Sequence, residues 1–220
     1  MLEVKSTSLY PALEPMERIS EVLFGLIMVL TYTGTLSVVT ADRLQIKTML
    51  IGALGCNLAW GIIDAGMYLM GRLHEQGRNV MILRSVREST DPKVAQTAIA
   101  SALPPLLSAV LANEQLEIMR RKLCQLPEPP AYPVLTKKDG LGAIAVCLLV
   151  FLSTFPVTLP FMFLNDARFA LRVSNAIAIA MMFMCGYFFA RYAGLPRWAT
   201  GAISVAIGCT LVFIAIALGG

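Results

Sequence analysis

Asp64 is the residue of this sequence with the strongest claim to chemistry. It is the one carboxylate well inside a long apolar stretch. Burying an ionisable side chain at mid-membrane depth costs about 2.5–3.5 kcal/mol on insertion scales, so it must face a partner, a cavity or water. Helical spacing puts Asn57, Gly61, Met67 and Tyr68 on the same face. A carboxylate, an amide, a thioether and a phenol, beside a glycine that lets a second helix approach, could form a path for a metal ion or a proton. The same residues could equally be a buried carboxylate whose amide or phenol partner orders helix packing.

A second stripe runs through Glu21, Gly25, Met28, Tyr32 and Thr35. Glu21 stands at the mouth of its segment, where it could collect cations or simply favour a helix N-terminus. Met28 is either a soft metal ligand or packing. The candidate path is therefore Asp64, Asn57, Met67, Met28, Glu21 and Tyr68, with Asp64, Met67 and Glu21 as the metal-ligand candidates. Outside the apolar stretches, His74, Glu75, Glu114 and Glu117 are the candidates for polar or metal contacts. Glu117 also lies four residues before Arg121, a spacing that makes an ordinary surface ion pair.

The elements that must carry these residues follow from composition. The 220 residues are 57% apolar and 15% charged, with a mean hydropathy of +0.70. Soluble domains carry about 25% charged residues. A bilayer core takes about 20 apolar residues per helix, and five stretches qualify: 22–39, 49–71, 140–164, 169–190 and 198–218. The expected fold is all-α, a polytopic membrane protein of five transmembrane helices with a small helical cytosolic subdomain between helices 2 and 3. Its parts are 1–71 (N-terminal segment and helices 1 and 2), 72–139 (subdomain and proline-rich linker) and 140–220 (helices 3 to 5). The first apolar stretch is preceded by more glutamate than lysine and arginine and is long, so it reads as a retained helix rather than a cleaved signal.

Lysine and arginine set the orientation. With the N-terminus inside, fourteen of the eighteen basic residues lie on the cytosolic side and four, Arg43, Lys47, Arg168 and Arg172, lie outside. The C-terminus then faces out. In the middle segment the second helix is expected to run on through 72–88. Asp91-Pro92 reads as an N-cap with proline at the first helical position, Leu103-Pro104-Pro105 as a break, and 106–123 as one further helix. Pro127, Pro129, Pro130 and Pro133 make a stiff linker. In the third span Pro156 and Pro160 predict a kink that frees carbonyls. Gly201, Ser204 and Gly208 make a small-residue stripe in the fifth. The five cysteines, Cys56, Cys124, Cys147, Cys185 and Cys209, show no metal or disulfide spacing and read as reduced. No nucleotide loop, nucleophile elbow or zinc motif is present, so neither an enzyme, a resident cofactor nor a nucleic-acid partner is expected.

Several segments resemble the vacuolar iron transporter family. Glu21-Val22-Leu23-Phe24-Gly25 is similar to the opening of that family's first helix, and Gly66-Met67-Tyr68 to the Gly-Glu-Tyr near the end of its second. Pro156 to Pro160 with Phe161 resembles its proline-rich third helix, and Gly186 to Gly194 the end of its fourth. Where the family has an Asp-Gly pair, Met28-Val29 stand here. Met67 replaces the family glutamate, with Asp64 one turn earlier on nearly the same face. The resemblance implies five helices and a helical cytosolic metal-binding domain. It also implies proton-coupled transport of Fe²⁺ or Mn²⁺ by a homodimer in the bilayer, with the path at the two-fold interface. The alternative is a non-transporting membrane scaffold whose cytosolic loop binds a partner or lipid. A bacterial inner membrane suits the short loops.

Overall fold

A computed structural model describes residues 15–35 and 43–218. Among these residues helix is the only regular structure, and they divide into two compact units, one of residues 15–35, 43–68 and 138–218 and one of residues 69–137. Four helices are long and apolar enough to cross a membrane, which makes this a multi-pass helical membrane protein.

The larger unit holds α1 (Pro15–Thr35), the first part of α2 (Arg43–Glu88), α6 (Lys137–Ser153), α7 (Phe155–Phe163), α8 (Ala167–Ala193) and α9 (Arg197–Ala217). In hydrocarbon each backbone amide must bond within its own segment, so the apolar runs are helices from end to end. The termini are set by local chemistry. The Asp166 carboxylate accepts from the Arg168 and Phe169 amides at 2.8 and 3.1 Å and starts α8. Gly194, at φ 69°, takes the left-handed turn that ends it, and Pro196 precedes α9. The expected third span is broken at Thr154 into α6 and α7, at the Pro156 side of the kink. Residues 36–39 of the expected first span lie outside the described residues.

The core joins Leu26, Val29 and Leu30 of α1 to Ala53 of α2, Val157 of α7 and Ala178, Met182 and Cys185 of α8. α1 thus contributes to this core, although it is not among the four helices long and apolar enough to cross a membrane. The small residues of α9 face α8. A side chain at Gly186 would strike the Thr200 carbonyl and the Gly201 Cα, and Gly208 seats Met182. Ser174 of α8 donates to the Val157 carbonyl of α7 at 2.7 Å, tying the proline-rich helix down. Ile51, Leu58, Ile62 and Met70 of α2 and Ile207 and Phe213 of α9 are exposed, and lipid is their natural solvent.

The smaller unit contains the rest of α2 with α3 (Pro92–Ala102), α4 (Pro105–Val110) and α5 (Asn113–Cys124). Asp91 caps α3 through the Lys93 amide at 2.9 Å, with Pro92 at its first position. Val86, Ala95, Ile99 and Leu116 form its core. The expected single helix over 106–123 is instead two. Leu111 and Ala112 are extended, and Gln115 accepts the Ala112 amide at 2.9 Å. This side-chain bond to the backbone starts a new helix and outweighs the continuous apolar spacing. Arg84 binds the Pro130 and Ala131 carbonyls at 3.1 and 2.9 Å, and Arg87 binds that of Leu126, so the linker lies along α2.

Glu117 pairs with Arg120 at 2.8 Å and Arg121 at 3.0 Å and accepts from Gln96 of α3. The Arg120 bonds first, and Arg121 next, draw its carboxyl from 4.5 down to about 2. The folded value lies below the unfolded one, so the pairing supports folding fully above pH 4.5 and is lost as the pH falls toward 2. Hydrogen-exchange protection of residues 113–124, taken relative to intrinsic rates, should fall between pH 4.5 and 2.5 in the native protein, and Glu117→Gln should remove that step. At pH 7 the same variant should already show the weaker protection that the wild type reaches at low pH, a small loss because the pair is partly solvated. An unchanged acid step in the variant would assign it to another carboxylate.

Candidate functional site

The helix contacts set a depth scale for the candidate residues. Gly61 of α2 lies against Cys147 of α6, where an added Cβ would stand 2.9 Å from the carbonyl and 3.3 Å from the Cα. One helical stretch further, the Tyr68 ring covers Gly142. The two helices are therefore antiparallel, and the same register brings Asn57 level with Phe151 and with the break at Thr154. Asp64 comes level with the stretch between Ala143 and Val146, both buried. On the other side, Tyr32 of α1 contacts Gly52 and is hydrogen-bonded with Cys56. α1 and α2 are antiparallel too, which sets Met28 at the depth of Asn57 and Glu21 at the depth of Asp64. Gly25 meets Ser153 and the Val150 carbonyl just before the break.

The residues expected to form a path thus fall into two layers, one of Asn57 and Met28 beside the helix break and one of Asp64 and Glu21 about two turns away. Asn57 is completely buried, and neither its Oδ1 nor its Nδ2 has a hydrogen-bond partner. Asp64 is half-buried, and its Oδ2 is likewise enclosed with no partner. An unsatisfied buried polar atom costs about 1–3 kcal/mol. Three such atoms lie on one helix face, a concentration that calls for a physical explanation. Met67 is 60% exposed and stands apart from both layers in the single chain.

A vestibule of about 410 Å³ opens at one end of this face. Lys47, Leu50 and Leu54 of α2 line it, with Thr158 and Phe161 of α7 and Asn165. Leu54 and Thr158 are within one turn of Asn57 and Thr154, so the vestibule ends one turn short of the first layer. Sequence spacing missed it because Leu50, Leu54 and Phe161 carry no polar signal.

In the smaller unit the candidates stay apart. His74 is exposed, Glu75 pairs with Arg72 at 2.5 Å, Glu114 is exposed and Glu117 is engaged by arginines. No group of three histidine, cysteine, aspartate or glutamate side chains suited to a metal occurs among the described residues. Comparison of the chain with protein-family models and with curated protein sequences finds no match.

Proposed function

We propose that this protein carries a divalent cation across the membrane along the α2 face from the vestibule past Asn57 to Asp64. The observation that carries this reading is the set of enclosed polar atoms of Asn57 and Asp64 that no protein group meets. Asp64 binds the ion or the proton exchanged for it, and Glu21 lies at the same depth as a second carboxylate. Fe²⁺ and Mn²⁺ are the ions that the sequence resemblance to the vacuolar iron transporters implies, with proton exchange as the driving force. We assign five spans, with α1 as the first, the N-terminus and the smaller unit in the cytosol, and a bacterial inner membrane as the setting. The fourteen-to-four bias of basic residues supports this orientation. A homodimer with α2 near its axis would bring the exposed Met67 of both copies to the path.

The test is uptake of Fe²⁺, Mn²⁺, Co²⁺ and Zn²⁺ into proteoliposomes, with and without a pH gradient. Uptake of none of them by folded, correctly oriented protein would exclude the reading. Lys47 at the vestibule mouth repels a cation, so Lys47→Gln should raise divalent uptake at low ionic strength by up to about 10-fold. That gain should fade at 0.5 M salt, where the Debye length falls to about 4 Å. Equal uptake by both proteins at low salt would place the ion's route elsewhere.

A membrane scaffold is the second reading. It is favoured by α4, whose Leu106 and Val110 are 81% and 78% exposed. There the smaller unit would dock a partner or lipid, and uptake would be absent.

A further inference from the structure

The break in the third span supplies oxygen atoms that the helix cannot use. Pro156 has no amide hydrogen to give the Leu152 carbonyl, and Pro160 has none for that of Pro156. The Val157 amide bonds to Thr154 at 3.2 Å, so it is turned from the Ser153 carbonyl that a continuous helix would give it. Neighbouring carbonyls are met: Thr154 donates its hydroxyl to Phe151 at 2.7 Å, and Ser153 to Val150 at 2.7 Å. The carbonyl of Pro156 thus lacks its helical donor one turn further on, and those of Leu152 and Ser153 lack theirs at a single level. By the register set through Gly61 and Tyr68, that level is the level of Asn57.

We propose that Asn57 and the Thr154 break form a second ion-binding position, distinct from Asp64, that takes a partly hydrated divalent cation through oxygen donors. The proposal rests on the transport reading and adds a site to it. The cation takes the Asn57 Oδ1 and carbonyl oxygens of the break, and a retained water accepts from Nδ2. One ligand thereby satisfies both ends of an amide that the protein leaves unmet. Unwound backbone beside a cavity is how membrane proteins coordinate ions without a buried charge. Carbonyl, amide and water donors suit Mn²⁺ and Mg²⁺ better than a soft ion. The vestibule, with Lys47 and Asn165 in its lining, lies one turn away at Leu54 and Thr158 and is the route of access in this proposal.

Mn²⁺ binding to the full-length protein in detergent tests this, by calorimetry and by the Mn²⁺ electron-resonance signal, beside uptake into proteoliposomes. The wild type should bind two Mn²⁺ per chain. Asn57→Leu and Asp64→Asn should each bind one, and Asn57→Leu should lower uptake at least tenfold. Leucine removes two unmet polar atoms at similar volume, so the Asn57→Leu melting temperature should hold or rise. Asn57→Asp, which keeps the oxygen, should retain two sites. A melting temperature that falls by several degrees in both Asn57 variants would mark a packing amide and overturn the proposal. So would full stoichiometry and uptake in Asn57→Leu while Asp64→Asn has lost both. If Asp64→Asn also leaves binding and uptake intact, the α2 face is not the path and the proposal falls with it, whereas absence of uptake in the wild type itself would sink the transport reading.

Discussion

Asp64→Asn should abolish divalent-cation uptake, by at least two orders of magnitude, while leaving the protein folded and no less stable. The carboxylate has an enclosed oxygen that no protein group meets. A residue retained for packing would be expected to have its oxygens satisfied, because the unmet atom costs about 1–3 kcal/mol. Asparagine keeps the shape and loses only the charge. If the charge serves an ion or an exchanged proton, uptake is lost, and the melting temperature in detergent stays level or rises as a buried ionisable group is removed. Proteoliposome uptake of Mn²⁺ with and without a pH gradient, beside thermal unfolding of the same preparation, reads both quantities. Retained uptake would remove Asp64 from the path. Lost uptake with a fall of many degrees would make it a structural carboxylate, the alternative that residue spacing alone leaves open.

The second large effect is expected at Gly61. Its Cα side lies against the α6 backbone, and a methyl there would stand 2.9 Å from the Cys147 carbonyl. Backbone cannot rotate aside as a side chain can, so Gly61→Ala must push α2 and α6 apart. Overpacking of this kind costs about 1–3 kcal/mol, and Gly61→Val should cost more. The seam also sets Asn57 and Asp64 against the third span, so uptake should fall with stability. Gly55 gives the control on the same helix, since nothing lies within 4 Å of its added Cβ. Gly55→Ala should therefore leave stability unchanged or raise it by up to about 1 kcal/mol, the helix preference of alanine over glycine. Thermal unfolding of the three variants decides. Equal tolerance at Gly61 and Gly55 would mean that α2 and α6 do not meet as described.

Much of the fold is legible in the sequence. Residues 169–190 and 198–218 anticipate α8 and α9 to within three residues at each end, and the polar extension of α2, the Asp91 cap and the proline break in the third span also followed from sequence. The reason is physical. Lipid leaves a backbone no alternative to helix, prolines remove specific amide donors, and an Asp-Pro start carries its own hydrogen-bond logic. The division of 105–124 at Leu111-Ala112 was not legible, because a single Gln115 bond to the Ala112 amide overrides an apolar spacing that continues across it.

The candidate site divides in the same way. Sequence alone determined that a carboxylate and an amide, Asp64 and Asn57, share one face of an apolar helix, because helical geometry fixes that from their spacing. Only the tertiary structure decided that Met67 faces outward while Asn57 is fully enclosed. A membrane helix is apolar toward lipid and toward protein alike, so hydrophobicity does not say which side is which. The depth match of Asn57 with the Thr154 break and Met28, and of Asp64 with Glu21, likewise depends on how α1, α2 and α6 slide against one another. Close contacts fix that register, Gly61 on Cys147, Tyr68 on Gly142 and Tyr32 on Gly52, and such contacts exist only once the helices have packed.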